Sequence, residues 1–120
     1  MTRFRLLSLR TSATAVALGA FVCLGAACSG DDSEVPAAPP DNPQLVAGEK
    51  VWAANCTSCH GKDGGGISGP ALNNDVAKRY PDVEDQIRVV TDGKGSMPSF
   101  GRKLSEEEIQ AVVAYTREVL

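Results

Sequence analysis

The chain has few of the residues from which most metal and catalytic sites are built. It contains one histidine, His60, and two methionines, one of which is residue 1. A single histidine leaves a zinc site short of ligands and gives acid–base catalysis few groups to use. The formal net charge is −3 and no block of basic residues occurs, so nucleic acid is not an expected partner.

The sequence also lacks the patterns of strands and of membrane-spanning helices. No stretch alternates apolar and polar residues for long enough to predict a strand. The apolar run at residues 13–27 is short for a membrane-spanning helix, which needs roughly 20 apolar residues. An all-α domain is the fold class that remains.

Composition divides the chain into three zones. Residues 1–27 begin with arginines, continue with an apolar run and end in small residues, which is the layout of an export signal. Residues 28–41 are proline, small residues and acids with little to bury, and we expect a flexible tether there. Residues 42–120 are expected to fold as one domain.

The end of the first zone resembles the signal of a bacterial lipoprotein. Leucine, glycine and two alanines directly precede Cys28, and Gly25 stands where that family usually has a large aliphatic residue. The resemblance implies that a lipid on Cys28 anchors the protein to a membrane outside the cytoplasm. Ordinary cleavage near Ala27 and an uncleaved anchor are the alternatives.

Helix ends are readable in the third zone. Asn42 followed by Pro43 predicts the start of one helix, and Asp82 predicts the start of another. Ser105 and Glu108 have the spacing of a capping box. They precede an apolar stripe formed by Ile109, Val112, Val113, Thr116 and Leu120.

The predicted domain is small for its loop content. Its helices are short and residues 61–69 are rich in glycine, so the chain alone buries little apolar surface. Domains below roughly 80 residues usually need a disulfide, a metal or another staple. A large, flat, covalently attached cofactor would supply the missing core.

The motif Cys56-Thr57-Ser58-Cys59-His60 has the C-x-x-C-H arrangement of a haem attachment site. Cysteines three apart at a helix end lie on one face, and the following histidine can reach the iron. A C-x-x-C pair also serves zinc binding, thiol redox chemistry or a structural disulfide. These three alternatives stay open on the motif alone.

The third zone resembles the class I c-type cytochromes over essentially its whole length. Gly48 and Trp52 precede the C-x-x-C-H motif, which is followed by the segment 69–72, a methionine loop at 95–101 and a final helix with Tyr115. The resemblance implies a small cytochrome c fold, with three to four short helices around one covalently bound haem. It also implies that Gly48 lets the first and last helices cross closely, with Trp52 and Tyr115 packed there.

The same resemblance implies the roles of the site residues. Cys56 and Cys59 would attach haem c, while His60 and Met97 would be the proximal and distal iron ligands. The carbonyl of Pro70 would accept a hydrogen bond from the His60 ring. Ile67 and Phe100 are expected to keep water from the pocket, although core packing alone would explain both residues equally well.

With both axial positions filled, the resemblance implies a single-electron carrier and not an enzyme. The compatible redox partners are a quinol-oxidising complex, a terminal oxidase and an exported dehydrogenase. The alternative is a peroxidase-like or gas-binding haem protein whose sixth ligand is labile. Four basic residues in the loops beside the two ligands are candidates for a ring around the haem edge: Lys62, Lys94, Arg102 and Lys103.

Overall fold

The structure, a computed structural model, describes residues 34–120 and contains five helices in that range. They are α1 (Pro43–Asn55), α2 (Thr57–His60), α3 (Val76–Arg79), α4 (Val83–Asp92) and α5 (Glu106–Glu118). The all-α fold class is confirmed. The number of helices exceeds the expected three to four because α2 and α3, of four residues each, are single turns.

Residues 34–120 include no β-strand and no helix that is both long and apolar enough to cross a membrane. An isolated bridge joins Lys94 and Met97. The expected export signal and Cys28 lie outside the described residues.

The predicted helix caps are present. The Asn42 side chain accepts a hydrogen bond from the backbone N–H of Leu45, 3.2 Å away, and Pro43 is the first residue of α1. The Asp82 side chain accepts a hydrogen bond from the backbone N–H of Glu84, in the first turn of α4. At α5 the capping box is reciprocal, with distances of 3.2 Å from Glu108 N to Ser105 Oγ and 2.8 Å from Ser105 N to Glu108 Oε2.

Helices α1 and α5 form the main helix pair, and they cross where α1 has a glycine. A Cβ at Gly48 would collide with the backbone oxygen of Ala111 and would lie 2.7 Å from the Cβ of Tyr115. Trp52 and Tyr115 are almost fully buried beside the crossing, with ring centroids 6.2 Å apart. The close crossing that the family resemblance implied is therefore present.

The core lies between these two helices and the loops that cover them. The predicted stripe of α5 is buried at Ile109, Val112, Val113 and Thr116, and Leu120 packs against the same core. Partly buried residues complete it, among them Leu72 and Leu104 from the loops and Val90 from α4.

The segment just before α1 packs against the helix pair instead of standing free. Ala38 is only 8% exposed, and its N–H donates to Glu49 Oε2 over 2.7 Å. The Tyr115 hydroxyl donates to the carbonyl of Pro36, and Val35 packs against the core. The structure thus differs from the expected boundary at Asn42, because residues 35–38 contact the domain that the tether was expected to carry.

The close crossing predicts a cost for any side chain at residue 48. We expect Gly48→Ala to lower the free energy of unfolding by about 1–3 kcal/mol, since overpacking a tight contact costs that much. Urea unfolding of the purified protein measures the change. Ala54→Ser, at an exposed position of α1, is the control and should change it by less than about 0.5 kcal/mol. If Gly48→Ala were as stable as the parent protein, the result would contradict the close crossing.

The buried hydroxyl of Tyr115 predicts a pH effect. Burial, and to a lesser degree the charge of Glu49, raise the pKa of Tyr115 to about 12. The unfolded chain has the ordinary pKa of roughly 10, so the unfolded state releases this proton first and stability falls as pH rises from 10 to 12. Tyr115→Phe should cost about 1 kcal/mol at pH 7, through the lost bond to Pro36. Between pH 10 and 12, its free energy of unfolding should fall less than that of the parent in denaturant titrations. An equal fall in both proteins would contradict this account.

Candidate functional site

The C-x-x-C-H motif lies at the junction of α1 and α2. Cys56 ends α1, where its N–H donates to Trp52 O over 3.0 Å, and it also begins α2, where its carbonyl accepts from His60 N over 3.0 Å. The chain therefore makes one further helical turn after α1. Cys56 is partly buried, Cys59 is exposed and His60 is buried, and both cysteines are free.

The His60 ring is held in one orientation by its neighbours. Its Nδ1 lies 2.9 Å from the carbonyl oxygen of Pro70. A carbonyl can only accept, so Nδ1 carries the proton and Nε2 keeps a free lone pair. Residue 69 has to be small here, because a Cβ on Gly69 would lie 2.8 Å from His60 Cε1. A histidine fixed in this way is prepared to bind a metal through Nε2.

Backbone hydrogen bonds hold the glycine-rich loop after His60 against α2. Gly66 N donates to His60 O over 2.7 Å, and Gly69 N donates to Cys59 O over 2.8 Å. These bonds satisfy carbonyls that the end of a short helix leaves without a partner. The Trp52 indole adds a bond of 2.9 Å to Lys62 O, so the loop is also fixed to α1.

The methionine loop is attached to the end of α4. Lys94 and Met97 exchange two backbone hydrogen bonds of 3.2 and 3.0 Å. Farther along, Phe100 N donates to Val90 O over 3.1 Å, and Ser99 Oγ donates to Thr91 O over 2.7 Å. The loop has no regular secondary structure, yet it is held at both ends, which fixes the position of Met97.

His60 and Met97 line the same partly open cleft, which Cys56 also borders. Most of the lining is apolar and comes from α1, α4, α5 and both loops: Trp52, Leu72, Val90, Phe100, Leu104, Val112 and Val113. Phe100 borders the cleft as expected. Ile67 does not border the cleft, and its side chain is 72% exposed, so its role in keeping water from the pocket stays a prediction.

The sequence patterns did not predict that two polar residues, Gln86 and Thr116, line the cleft. Both side chains are buried, with 5% exposed, and Gln86 Nε2 donates a hydrogen bond to Thr116 Oγ1 over 2.8 Å. A signal existed for the glutamine, because Gln86 and Val90 are four residues apart and share one face of α4. Its polarity hid it from a search for apolar stripes.

The thiol of Cys56 has the chemistry of a buried, neutral group. Burial first, and then the neighbouring Cys59, raise the pKa of Cys56 to about 11, although Lys103 acts in the opposite direction. Cysteines that catalyse thiol–disulfide exchange have lowered pKa values, well below 8.5. Within residues 34–120, moreover, no group of three or more His, Cys, Asp or Glu residues is placed to hold a metal ion. The thiol-redox and zinc alternatives thus find no support in the site.

The residues present fit a haem. The cleft is apolar, and it is bordered by a histidine with a free Nε2, by a methionine thioether and by a cysteine whose C-x-x-C partner is exposed. Imidazole and thioether are axial ligands of electron-carrying haem proteins.

Comparison with known proteins agrees with this reading of the site. The family described as "Cytochrome C oxidase, cbb3-type, subunit III" matches residues 43–115. Cytochrome c6 of Leptolyngbya boryana is 43% identical over 73 residues, which are 58% of this chain and 86% of that protein. The Cbb3-type cytochrome c oxidase subunit FixP of Azorhizobium caulinodans is 34% identical over 83 residues, covering 66% of this chain but 28% of FixP.

A solved structure supports the fold as well. Cytochrome c6C from Synechococcus sp. PCC 7002 is 39% identical to this chain and superposes with a TM-score of 0.52. The match covers 58% of this chain and 89% of that one. The chain belongs to the cytochrome c family. Its cofactor is covalently bound haem c, and it carries electrons instead of catalysing a reaction.

Proposed function

We propose that the protein carries single electrons outside the cytoplasm, with haem c attached to Cys56 and Cys59 and with His60 and Met97 as the two axial iron ligands. The observation that carries this proposal is that the oriented His60 ring and the Met97 loop border one apolar cleft. When bound there, haem c supplies an iron that accepts and releases one electron.

His60 is the proposed proximal ligand. Its Nδ1–H donates to the Pro70 carbonyl over 2.9 Å, which keeps the ring from rotating and makes Nε2 a stronger donor. Gly69 and the loop bonds to α2 hold that carbonyl in place. This support lets the ligand keep its position in both oxidation states, which a fast electron carrier needs.

Met97 is the proposed distal ligand. A thioether is a soft ligand that favours ferrous iron and raises the reduction potential. Its loop is bonded to α4 through Ser99 and Phe100 and is closed by the Lys94–Met97 pair, so the sulfur is held at the cleft. A site closed by two protein ligands has no position for oxygen or peroxide, which favours a carrier over the peroxidase-like or gas-binding alternative.

The proposed docking surface lies around the exposed part of the attachment motif. Cys59 and the four basic residues named above are exposed, although Lys94 also contacts Tyr80, with 3.2 Å between Nζ and the hydroxyl. Small and short-lived interfaces suit an electron carrier. A quinol-oxidising complex, a terminal oxidase and an exported dehydrogenase remain the proposed partners. The similarity to FixP, an oxidase subunit by its name, supports the second of these.

The proposed location is the outer face of a membrane, with residues 1–27 as the export signal and a lipid on Cys28 as the anchor. The basic start, apolar middle and small residues before Cys28 support this proposal. We also propose the division of the chain into an export signal (1–27), a tether (28–41) and a cytochrome domain (42–120). Within the tether, residues 35–38 pack against the domain.

Replacing Met97 tests the ligand assignment. We expect Met97→Ala to open the sixth position, so that the ferrous protein binds carbon monoxide, and to lower the reduction potential. The ferric–ferrous equilibrium should move by tenfold or more, which corresponds to about 59 mV for one electron. Visible spectra and a redox titration measure both. Ser96→Ala, at an exposed residue of the same loop, is the control; a Met97 variant that behaves like it would show that Met97 is not a ligand.

The intact mass of the protein purified from membranes tests the anchor. We expect a mature chain that begins at Cys28 and carries both haem and lipid mass. Cys28→Ala should move the protein from the membrane fraction to the soluble fraction, with its haem spectrum unchanged. Cys23→Ala, within the expected signal, is the control. Lipid-free protein with a mature end near Ala27 would overturn the anchor and leave the haem site untouched.

A further inference from the structure

Gln86 stands out as a buried amide in an otherwise apolar cleft. It lies on α4, is 5% exposed and borders the cleft together with Thr116 of α5. Burying an amide in apolar surroundings is unfavourable unless its hydrogen bonds are made. The fold provides those bonds from α5, whose residues therefore set the direction of the amide dipole.

Its partners leave the amide one orientation. Arg117 can only donate, so the oxygen of Gln86 must be the atom 3.0 Å from Arg117 Nη1. The hydroxyl hydrogen of Thr116 is directed at Val113 O over 2.9 Å. Thr116 Oγ1 consequently accepts from Gln86 Nε2 over 2.8 Å. The positive end of the amide lies on the side of Thr116, which borders the cleft, and the negative end lies toward Arg117, which does not.

Within the described part of the chain, the Arg117 guanidinium is held by hydrogen bonds and not by an ion pair. Besides Gln86, its guanidinium donates to two backbone carbonyls, Tyr80 O at 2.8 Å and Pro81 O at 3.4 Å. The ion pairs within residues 34–120 join Arg79 to Asp75 and Arg88 to Asp85, so none of them neutralises Arg117. Asp82 is a nearby carboxylate, but it is exposed, and exposed charges are screened by solvent.

From these contacts we propose that Arg117, acting through Gln86, raises the reduction potential of the protein by placing positive potential beside the haem cleft. Electron uptake by a bound haem would add a negative charge to the cleft, and a partly buried positive charge would stabilise that state because it is screened less than an exposed one. Arg117 is a positioning residue here, because it orients Gln86 and does not border the cleft itself. The inference rests on the proposed haem site.

The size of the effect follows from Coulomb's law. A unit charge at roughly 10 Å with an effective dielectric constant near 20 shifts an equilibrium by about tenfold or somewhat more. We therefore expect Arg117→Gln to move the ferric–ferrous equilibrium about tenfold toward ferric, a fall of about 59 mV for one electron. Arg88→Gln is the matched control, with the same change of net charge on the outer face of α4, and should shift the equilibrium less than twofold.

Two further variants separate charge from structure. Arg117→Lys keeps the charge but loses the forked contacts to the carbonyls of residues 80 and 81, so it should lower the Tm while nearly keeping the potential. Gln86→Glu places a carboxylate against Arg117 and should lower the potential more than Gln86→Leu does. This second comparison decides the matter if Arg117→Gln does not fold.

The test is a redox titration of each holoprotein, with the visible spectrum recorded alongside. An unchanged low-spin spectrum shows that the axial ligands are intact, so a result on Arg117 is independent of the Met97 assignment. Equal shifts in Arg117→Gln and Arg88→Gln would overturn the proposal in favour of net charge alone. It would also be overturned by equal potentials in Gln86→Glu and Gln86→Leu, or by a shift that occurs only with loss of the low-spin spectrum.

Discussion

The crossing of α1 and α5 is the constraint from which the rest of the fold follows. Because residue 48 has no side chain, the two helices approach so closely that a Cβ there would collide with the backbone oxygen of Ala111 in α5. Cys56 at the end of α1 and His60 in α2 then border the same cleft as Val112, Val113 and Thr116 of α5. One backbone contact thus determines the distance between the attachment motif and the opposite wall. Small domains have little other core to compensate for an error there.

The two loops of the site are held by hydrogen bonds to helix ends as well as by the packing of Leu72, Phe100 and Leu104. The loop after His60 bonds to the carbonyls of Cys59 and His60, and the loop around Met97 bonds to those of Val90 and Thr91. Helix ends provide unpaired carbonyls in any case. A loop that uses them gains rigidity even where its residues have small side chains. This explains how glycine, serine and proline can build a firm site.

Local chemistry was predictable from the sequence, and contacts between distant segments were not. Asn42, Asp82 and the Ser105–Glu108 pair are capping residues whose partners lie two or three positions away, so their spacing suffices. The hydrogen bond between His60 and Pro70 was implied by the family resemblance. The buried bond from Gln86 to Thr116 spans 30 residues, and neither residue carries a local signal for it. Composition likewise suggested a free tether up to Asp41, whereas the contact of Pro36 with Tyr115 depends on residues 79 positions apart.

The packing of residues 35–38 against the helix pair changes how far the domain can travel from an anchor. From Cys28, fourteen extended steps to Asn42 would span about 49 Å, but the seven steps to Val35 span at most about 25 Å. Halving the radius reduces the accessible volume roughly eightfold, and it raises the effective concentration of a membrane-bound partner by the same factor. With the proposed lipid anchor on Cys28, a carrier on so short a tether would meet the few complexes beside it often and a distant one rarely. Its choice of partner would then depend as much on where it is anchored as on the surface that it presents.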